Sequence, residues 1–181
     1  MRIAGIITSD VANGPGLRTS VFVSGCNIHC KGCHNEKLWD FDYGKELDDK
    51  LMEKILDSID HEGIAGLTIL GGEPLDIRNV NQVTSLIARF CERFGCDKTI
   101  WLYTGYDFGK FMKHHEPYTD REYNAIMSVD VVVDGPFIEE LKDITLLYRG
   151  SSNQRIINVK ETKEKGEIVL LDIDKYGIRR G

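Results

Sequence analysis

The sequence lacks any apolar run that approaches the roughly 18 or more consecutive residues a bilayer-spanning helix needs. Its opening, Met1-Arg2-Ile3-Ala4-Gly5, leads into no signal-like apolar block either, so the chain is expected in the cytoplasm, with no membrane partner. A basic excess is also missing. The 23 Lys and Arg residues are scattered among 29 Asp and Glu residues, for a net charge of −6, and this leaves no electrostatic footprint for nucleic acid. There is no internal repeat, low-complexity tract or linker. With 181 residues, inside the usual range of about 100–200 for one domain, the expectation is a single domain over 1–181, with a core over about 13–157 and a tail over about 160–181. Five cysteines cannot all pair, and cytosolic thiols stay reduced, so metal or redox chemistry outranks a disulfide framework.

What is present is an alternation of two patterns. Arg18-Thr19-Ser20-Val21-Phe22-Val23 is β-branched and aromatic and runs into Ser24-Gly25-Cys26, which places Cys26 just past a strand. Leu47, Leu51, Ile55 and Ile59 recur every four residues as a helical stripe, and a second stripe runs through Val80, Val83, Ile87, Phe90, Cys91 and Phe94. Leu67-Thr68-Ile69-Leu70 ends at Gly71-Gly72-Glu73-Pro74, Thr99-Ile100-Trp101-Leu102-Tyr103 at Thr104-Gly105-Tyr106, and Val129-Asp130-Val131-Val132-Val133 at Asp134-Gly135-Pro136. Such strands recur at about the spacing of βαβ units. They predict an α/β fold with a mostly parallel sheet and helices outside it, whose ligands bind beyond the carboxyl ends of the strands. Cys26, Gly71, Thr104 and Asp134 then share one rim. Ile168-Val169-Leu170-Leu171 is expected to form a last strand before a basic, frayed end.

Cys26-Asn27-Ile28-His29-Cys30-Lys31-Gly32-Cys33 has the spacing C-x3-C-x2-C. Three thiolates in one short loop can hold an iron–sulfur cluster and leave one iron without a protein ligand. A saturated four-cysteine cluster mostly carries electrons, whereas an open position allows chemistry. The competing reading is a zinc knuckle made by the same cysteines with His29 or His34. Cys91, on a helical stripe, and Cys96, at a turn, read as packed thiols.

The cysteine loop after one strand and Gly71-Gly72-Glu73-Pro74 after the next resemble the radical S-adenosylmethionine superfamily, which implies a partial (β/α) barrel. By that resemblance Cys26, Cys30 and Cys33 ligate a 4Fe–4S cluster whose unique iron chelates S-adenosylmethionine. Gly71, Gly72 and Glu73 meet its methionine end, Gly32 and His34 flank the third cysteine near its adenine and sulfonium end, and Thr104 and Asp134 are secondary contacts. Gly32 stands where the superfamily more often has an aromatic residue.

From Asn13 to Ile157 the chain is similar to the glycyl-radical activating proteins, above all those serving anaerobic ribonucleoside-triphosphate reductase. The runs that carry this are Asn13-Gly14-Pro15-Gly16 with Arg18, Cys33-His34-Asn35, Trp39-Asp40-Phe41, Trp101-Leu102-Tyr103-Thr104-Gly105-Tyr106, Val133-Asp134-Gly135-Pro136-Phe137 and Tyr148-Arg149-Gly150-Ser151-Ser152-Asn153-Gln154-Arg155. The resemblance implies reductive cleavage of S-adenosylmethionine to methionine and a 5′-deoxyadenosyl radical, which generates a glycyl radical on the glycine-bearing large subunit of the reductase. It also implies a low-potential electron donor such as flavodoxin or ferredoxin. Asn153 and Arg155 suit carboxylate or peptide recognition, or else belong to a solvated loop. No residue stands out as a general acid or base, and His114 and His115 read as surface residues. An activase for pyruvate formate-lyase or another glycyl-radical enzyme shares the cluster loop and Gly-Gly-Glu-Pro. A non-catalytic metal-binding module is the alternative of a different class.

Overall fold

A computed structural model describes residues 1–113 and 120–173, so His114, His115 and the last residues of the basic tail lie outside the described residues. In chain order the elements are strands β1 (Arg2–Asp10), β2 (Leu17–Val23) and β3 (Lys45–Glu46), helix α1 (Asp49–Ile59), β4 (Ile64–Gly71), α2 (Val80–Phe94) and β5 (Thr99–Tyr103). The helices α3 (Phe108–Met112) and α4 (Asp120–Met127), strands β6 (Val131–Asp134) and β7 (Arg155–Asn158) and helix α5 (Val159–Lys165) follow.

The seven strands form one sheet in the order β3-β1-β2-β4-β5-β6-β7. Its centre, β2, β4, β5 and β6, is parallel, while β1 pairs antiparallel with β2 and β3, and β7 pairs antiparallel with β6. The architecture is thus the expected α/β sheet, but mixed and open, with β3 and β7 at its edges. The antiparallel flanks are absent from the sequence reading for a physical reason. Gly5 interrupts β1, and Ile7, Thr8 and Ser9 are exposed, so it carries no continuous apolar signal. The expected strand over 168–171 is reduced to a single bridge, Ile157 with Leu170, flanked by Asn158 N–H to Val169 O (2.9 Å) and Leu171 N–H to Ile156 O (2.8 Å).

Side-chain alternation divides the sheet into two unlike faces. Ile69, Ile100, Leu102, Val132 and Ile157 point into the larger core, where Ile55 and Ile59 of α1, Val83 and Ile87 of α2, Phe108 of α3 and Ile126 of α4 cover them. Trp101, Val131, Val133 and Ile156 point the other way and pack with Tyr148. That inner face also holds Arg18, which is buried. Its Nε donates to Thr68 Oγ1 (2.8 Å), one terminal nitrogen to Thr99 Oγ1 (3.0 Å), and the other to Leu67 O (2.8 Å) and Thr99 O (2.7 Å). Arg18 therefore ties three parallel strands together at the end of the sheet away from the cysteine loop.

Candidate active site

Where β2 ends at Val23 and β4 at Gly71, backbone hydrogen bonds join the two following loops. Gly72 N–H donates to Val23 O and Glu73 N–H to Gly25 O, both at 2.8 Å, while Gly25 N–H reaches Leu38 O at 2.8 Å and Cys26 N–H reaches Trp39 O at 3.2 Å. The buried Asn79 amide donates to Ser24 O and to Glu73 O, each at 3.0 Å. Asn27 donates to Asp76 (2.7 Å) and accepts from Arg78 (2.9 Å), whose guanidinium lies over the Phe41 ring. The cysteine loop and the glycine-rich loop are therefore one hydrogen-bonded unit. Sequence reasoning missed Asn27, Asp76, Arg78 and Asn79. Asn79, just ahead of α2, has the look of a helix cap, yet its amide is spent on the loops.

Gly72 is required by close approach, because a methyl group there would lie 2.4 Å from Gly25 O and 3.0 Å from Leu38 O. Gly32 is required by conformation, with φ of 72° and the Glu139 side chain against it.

Beyond these loops lies a cavity of about 560 Å³, within the range of small-molecule sites. Cys26, Cys30 and Cys33 line it together with Gly32 and His34, and Gly71, Gly72, Glu73 and Thr104 line it as well. Cys26 is buried and the other two are partly exposed. Burial pushes the Cys26 and Cys30 thiols up, against backbone N–H groups of Ile28 and His29 directed at Cys26 and of Phe137 directed at Cys30. N–H groups aimed at sulfur suit an iron–sulfur cluster, since hydrogen bonds to the sulfurs are one of the protein's levers on its potential. Among the described residues no group of three or more His, Cys, Asp or Glu side chains is gathered about one ion position. A cubane asks for something else, three thiols spread along one wall, each taking a different iron. His29 is stacked on Trp39, with ring centroids 4.5 Å apart.

The site residues expected from sequence separate into two groups. Glu73 is fully buried, and its carboxylate accepts from Leu75 N–H (2.9 Å), the Thr104 hydroxyl (2.7 Å) and Gly105 N–H (2.8 Å). It clamps the ends of β4 and β5 behind the cavity, and Thr104 is its partner. Asp134 reaches the same rim but does not line the cavity. Its carboxylate accepts from Phe108 N–H (2.8 Å) and from Arg155, the residue opposite it in the β6–β7 ladder. Arg155 is further held by Asp107 (2.8 Å), and the Asn153 amide donates to Pro136 O (2.8 Å). Cys91 is exposed, not packed as expected, because it lies one helical step beyond Phe90 and past the buried stripe; Cys96 is exposed too.

Burial raises the Glu73 carboxyl from an ordinary 4.5 to about 7, outweighing its three donors. A folded-state pKa above the unfolded one favours folding while the group is protonated, and that advantage is lost as pH rises toward 7. The stability of the cluster-free protein is accordingly expected to fall between about pH 5 and about pH 8, with Glu73 contributing on the order of 3 kcal/mol. Glu73→Gln, which has no proton to lose, should remove that part of the slope in urea unfolding; an unchanged slope would contradict the assignment.

With the geometry in place, comparison with known proteins is decisive about family. A family model described as a 4Fe-4S single cluster domain matches residues 12–157. An anaerobic ribonucleoside-triphosphate reductase-activating protein of Haemophilus influenzae is 39% identical over 155 residues, covering 84% of this chain and 94% of that protein. The chain belongs to the anaerobic ribonucleoside-triphosphate reductase-activating protein family. Relatives of the same name include one from Vibrio cholerae, 38% identical over 150 residues (81% of this chain, 91% of that protein), and one from Enterobacteria phage T4, 33% identical over 151 residues (83% and 90%). In this chain the matched residues 12–157 run from the loop before β2 into β7, and so take in the cysteine loop, the glycine-rich loop and the chain that returns from β6.

Among the described residues no helix is long and apolar enough to cross a membrane.

Proposed function

We propose that this protein activates anaerobic ribonucleoside-triphosphate reductase as a radical S-adenosylmethionine enzyme, with the chain as one such domain and its open sheet as the partial (β/α) barrel of that superfamily. The observation that carries this is one cavity lined both by the three cysteines and by Gly71 and Gly72. When bound and reduced, the 4Fe–4S cluster would supply one electron to the sulfonium of S-adenosylmethionine, whose cleavage would give methionine and a 5′-deoxyadenosyl radical able to take a hydrogen atom from a glycine of the reductase.

The residues of this chain then have distinct tasks. Cys26, Cys30 and Cys33 hold three irons as thiolates, so cluster assembly must displace the protons that burial favours on Cys26 and Cys30. No fourth cysteine lines the cavity, which reserves one coordination position for the ligand. Gly71 and Gly72 offer backbone to the methionine end at a distance no side chain allows. Glu73 acts behind them as a positioning residue, fixing Thr104 and Gly105, while Gly32 and His34 border the adenine and sulfonium end. Proton transfer is not needed for hydrogen-atom abstraction, so no general base is assigned. The activity belongs in the cytoplasm, where thiolates stay reduced and a low-potential donor such as flavodoxin or ferredoxin can deliver the electron.

The test is electron paramagnetic resonance on reductase and pyruvate formate-lyase, each mixed without oxygen with the reconstituted protein, dithionite and S-adenosylmethionine. A glycyl signal on the reductase is expected. A signal on formate-lyase alone would overturn the choice of partner.

A further inference from the structure

The cavity is walled by strand ends and by the cysteine loop, and its remaining wall comes from a segment that follows a short 3-10 helix, Glu139–Leu141. Between β6 and β7 the chain runs out and back as a finger, residues 141–152. Its base is closed by a bridge between Lys142 and Ser151, by Ser152 N–H to Leu141 O (2.9 Å) and by Asp143 N–H to Gly150 O (3.2 Å). Tyr148 anchors it, buried edge-on against Trp101, with its backbone carbonyl accepting from the Tyr103 hydroxyl at 2.9 Å.

Two features of the finger are unspent. Ile144 lines the cavity and yet is 89% exposed, and Leu141 on the same finger is 41% exposed. Ala12, also in the cavity lining, follows Val11, which is 65% exposed. Two exposed apolar side chains on one finger, one of them in the cavity lining, suit a surface that another molecule covers. Arg149, also in the cavity wall, gives one terminal nitrogen to Gln154 O (2.8 Å), but its Nε–H is buried with no acceptor. An orphaned buried donor is costly, and a small adjustment of the side chain would offer it to a carbonyl arriving in the cavity.

We infer that the finger is the docking surface for the glycine-bearing segment of the reductase, with Ile144 as its apolar contact and Arg149 Nε–H as the donor to a backbone carbonyl of that segment. This rests on the proposed function. A glycine presents no side chain to a pocket, so an enzyme that acts on it must read the main chain at that residue and side chains beside it. A buried side-chain N–H that can donate to the main chain and an exposed isoleucine supply those two elements, and both residues line the cavity that the cysteines line.

The experiment measures anaerobic binding of the full chain to the intact reductase, together with glycyl radical formed per 5′-deoxyadenosine released. Ile144→Asp, with Ile144→Ser as a second change that adds no charge, is expected to weaken binding by at least about tenfold (about 1.4 kcal/mol) with an unaltered melting temperature, as suits an exposed position. Arg149→Lys, which keeps the charge and loses the Nε–H, is expected to lower the radical yield per cleavage severalfold. Binding of both Ile144 variants within twofold of wild type would overturn the docking surface, and an unchanged yield with Arg149→Lys would overturn the role of its Nε–H. Wild-type protein that releases no 5′-deoxyadenosine would instead contradict the proposed function, and this inference with it.

Discussion

Cys30→Ser is expected to give a folded protein that cannot retain a 4Fe–4S cluster and that releases 5′-deoxyadenosine at least about 100-fold more slowly than wild type. Even the loss of an outer partner of a metal ligand costs about 10–100-fold, and this substitution removes a ligand itself. Cys30 is partly exposed on the cavity wall, so oxygen in place of sulfur disturbs little packing. The failure is therefore chemical. Serine does not form the soft anionic ligand that iron takes from cysteine. The control is Cys91→Ser on the exposed side of α2, remote from the cavity lining, which should keep both cluster and product. Iron and sulfide content with product release measures both; a cluster in Cys30→Ser as stable as in wild type would contradict the ligand assignment.

Gly72→Ala is expected to damage the site through backbone geometry alone. The added methyl group would sit 2.4 Å from Gly25 O and 3.0 Å from Leu38 O, and neither is the end of a flexible side chain. Overpacking of this kind costs about 1–3 kcal/mol, which in a domain of this size lowers the melting temperature by roughly 2–10 °C. Relief requires the cysteine loop to move, because Gly25 O is also the acceptor for Glu73 N–H. Turnover should thus fall by more than tenfold, about 1.4 kcal/mol of barrier. Gly5→Ala, where a methyl group meets nothing within 4 Å, should leave melting temperature and turnover close to wild type. Equal turnover in the two variants would show that the two loops do not depend on their close contact.

These predictions rest on features of unequal legibility in the sequence. The parallel strands were readable because they are buried on both faces and so carry near-continuous apolar runs; β5 spans the Thr99–Tyr103 run that the pattern indicates. The antiparallel β1 was not readable, since its exposed stretch mixes polar and apolar residues, and neither was β7, a strand of four residues with only Ile156 and Ile157 apolar. Rim position was equally legible for Cys26, Gly71, Thr104 and Asp134, but side-chain direction was not. Asp134 is turned from the cavity by Arg155, and that pairing arises only once β7 lies antiparallel beside β6. The network of Asn27, Asp76, Arg78 and Asn79 joins residues about fifty positions apart, and polar contacts at that separation leave no periodic trace. Cys91 shows the limit of a stripe: its spacing from Ile87 suits the buried face, and one further step of rotation puts it in water.

The central claim is that the three-cysteine loop and the glycine-rich loop together make a site for reductive cleavage of S-adenosylmethionine. The most direct test is to reconstitute the full chain with iron and sulfide without oxygen, add dithionite and S-adenosylmethionine, and assay for 5′-deoxyadenosine. The account predicts a brown protein that releases 5′-deoxyadenosine and methionine in equal amounts. A colourless protein that binds zinc through the same cysteines and yields no nucleoside would contradict it.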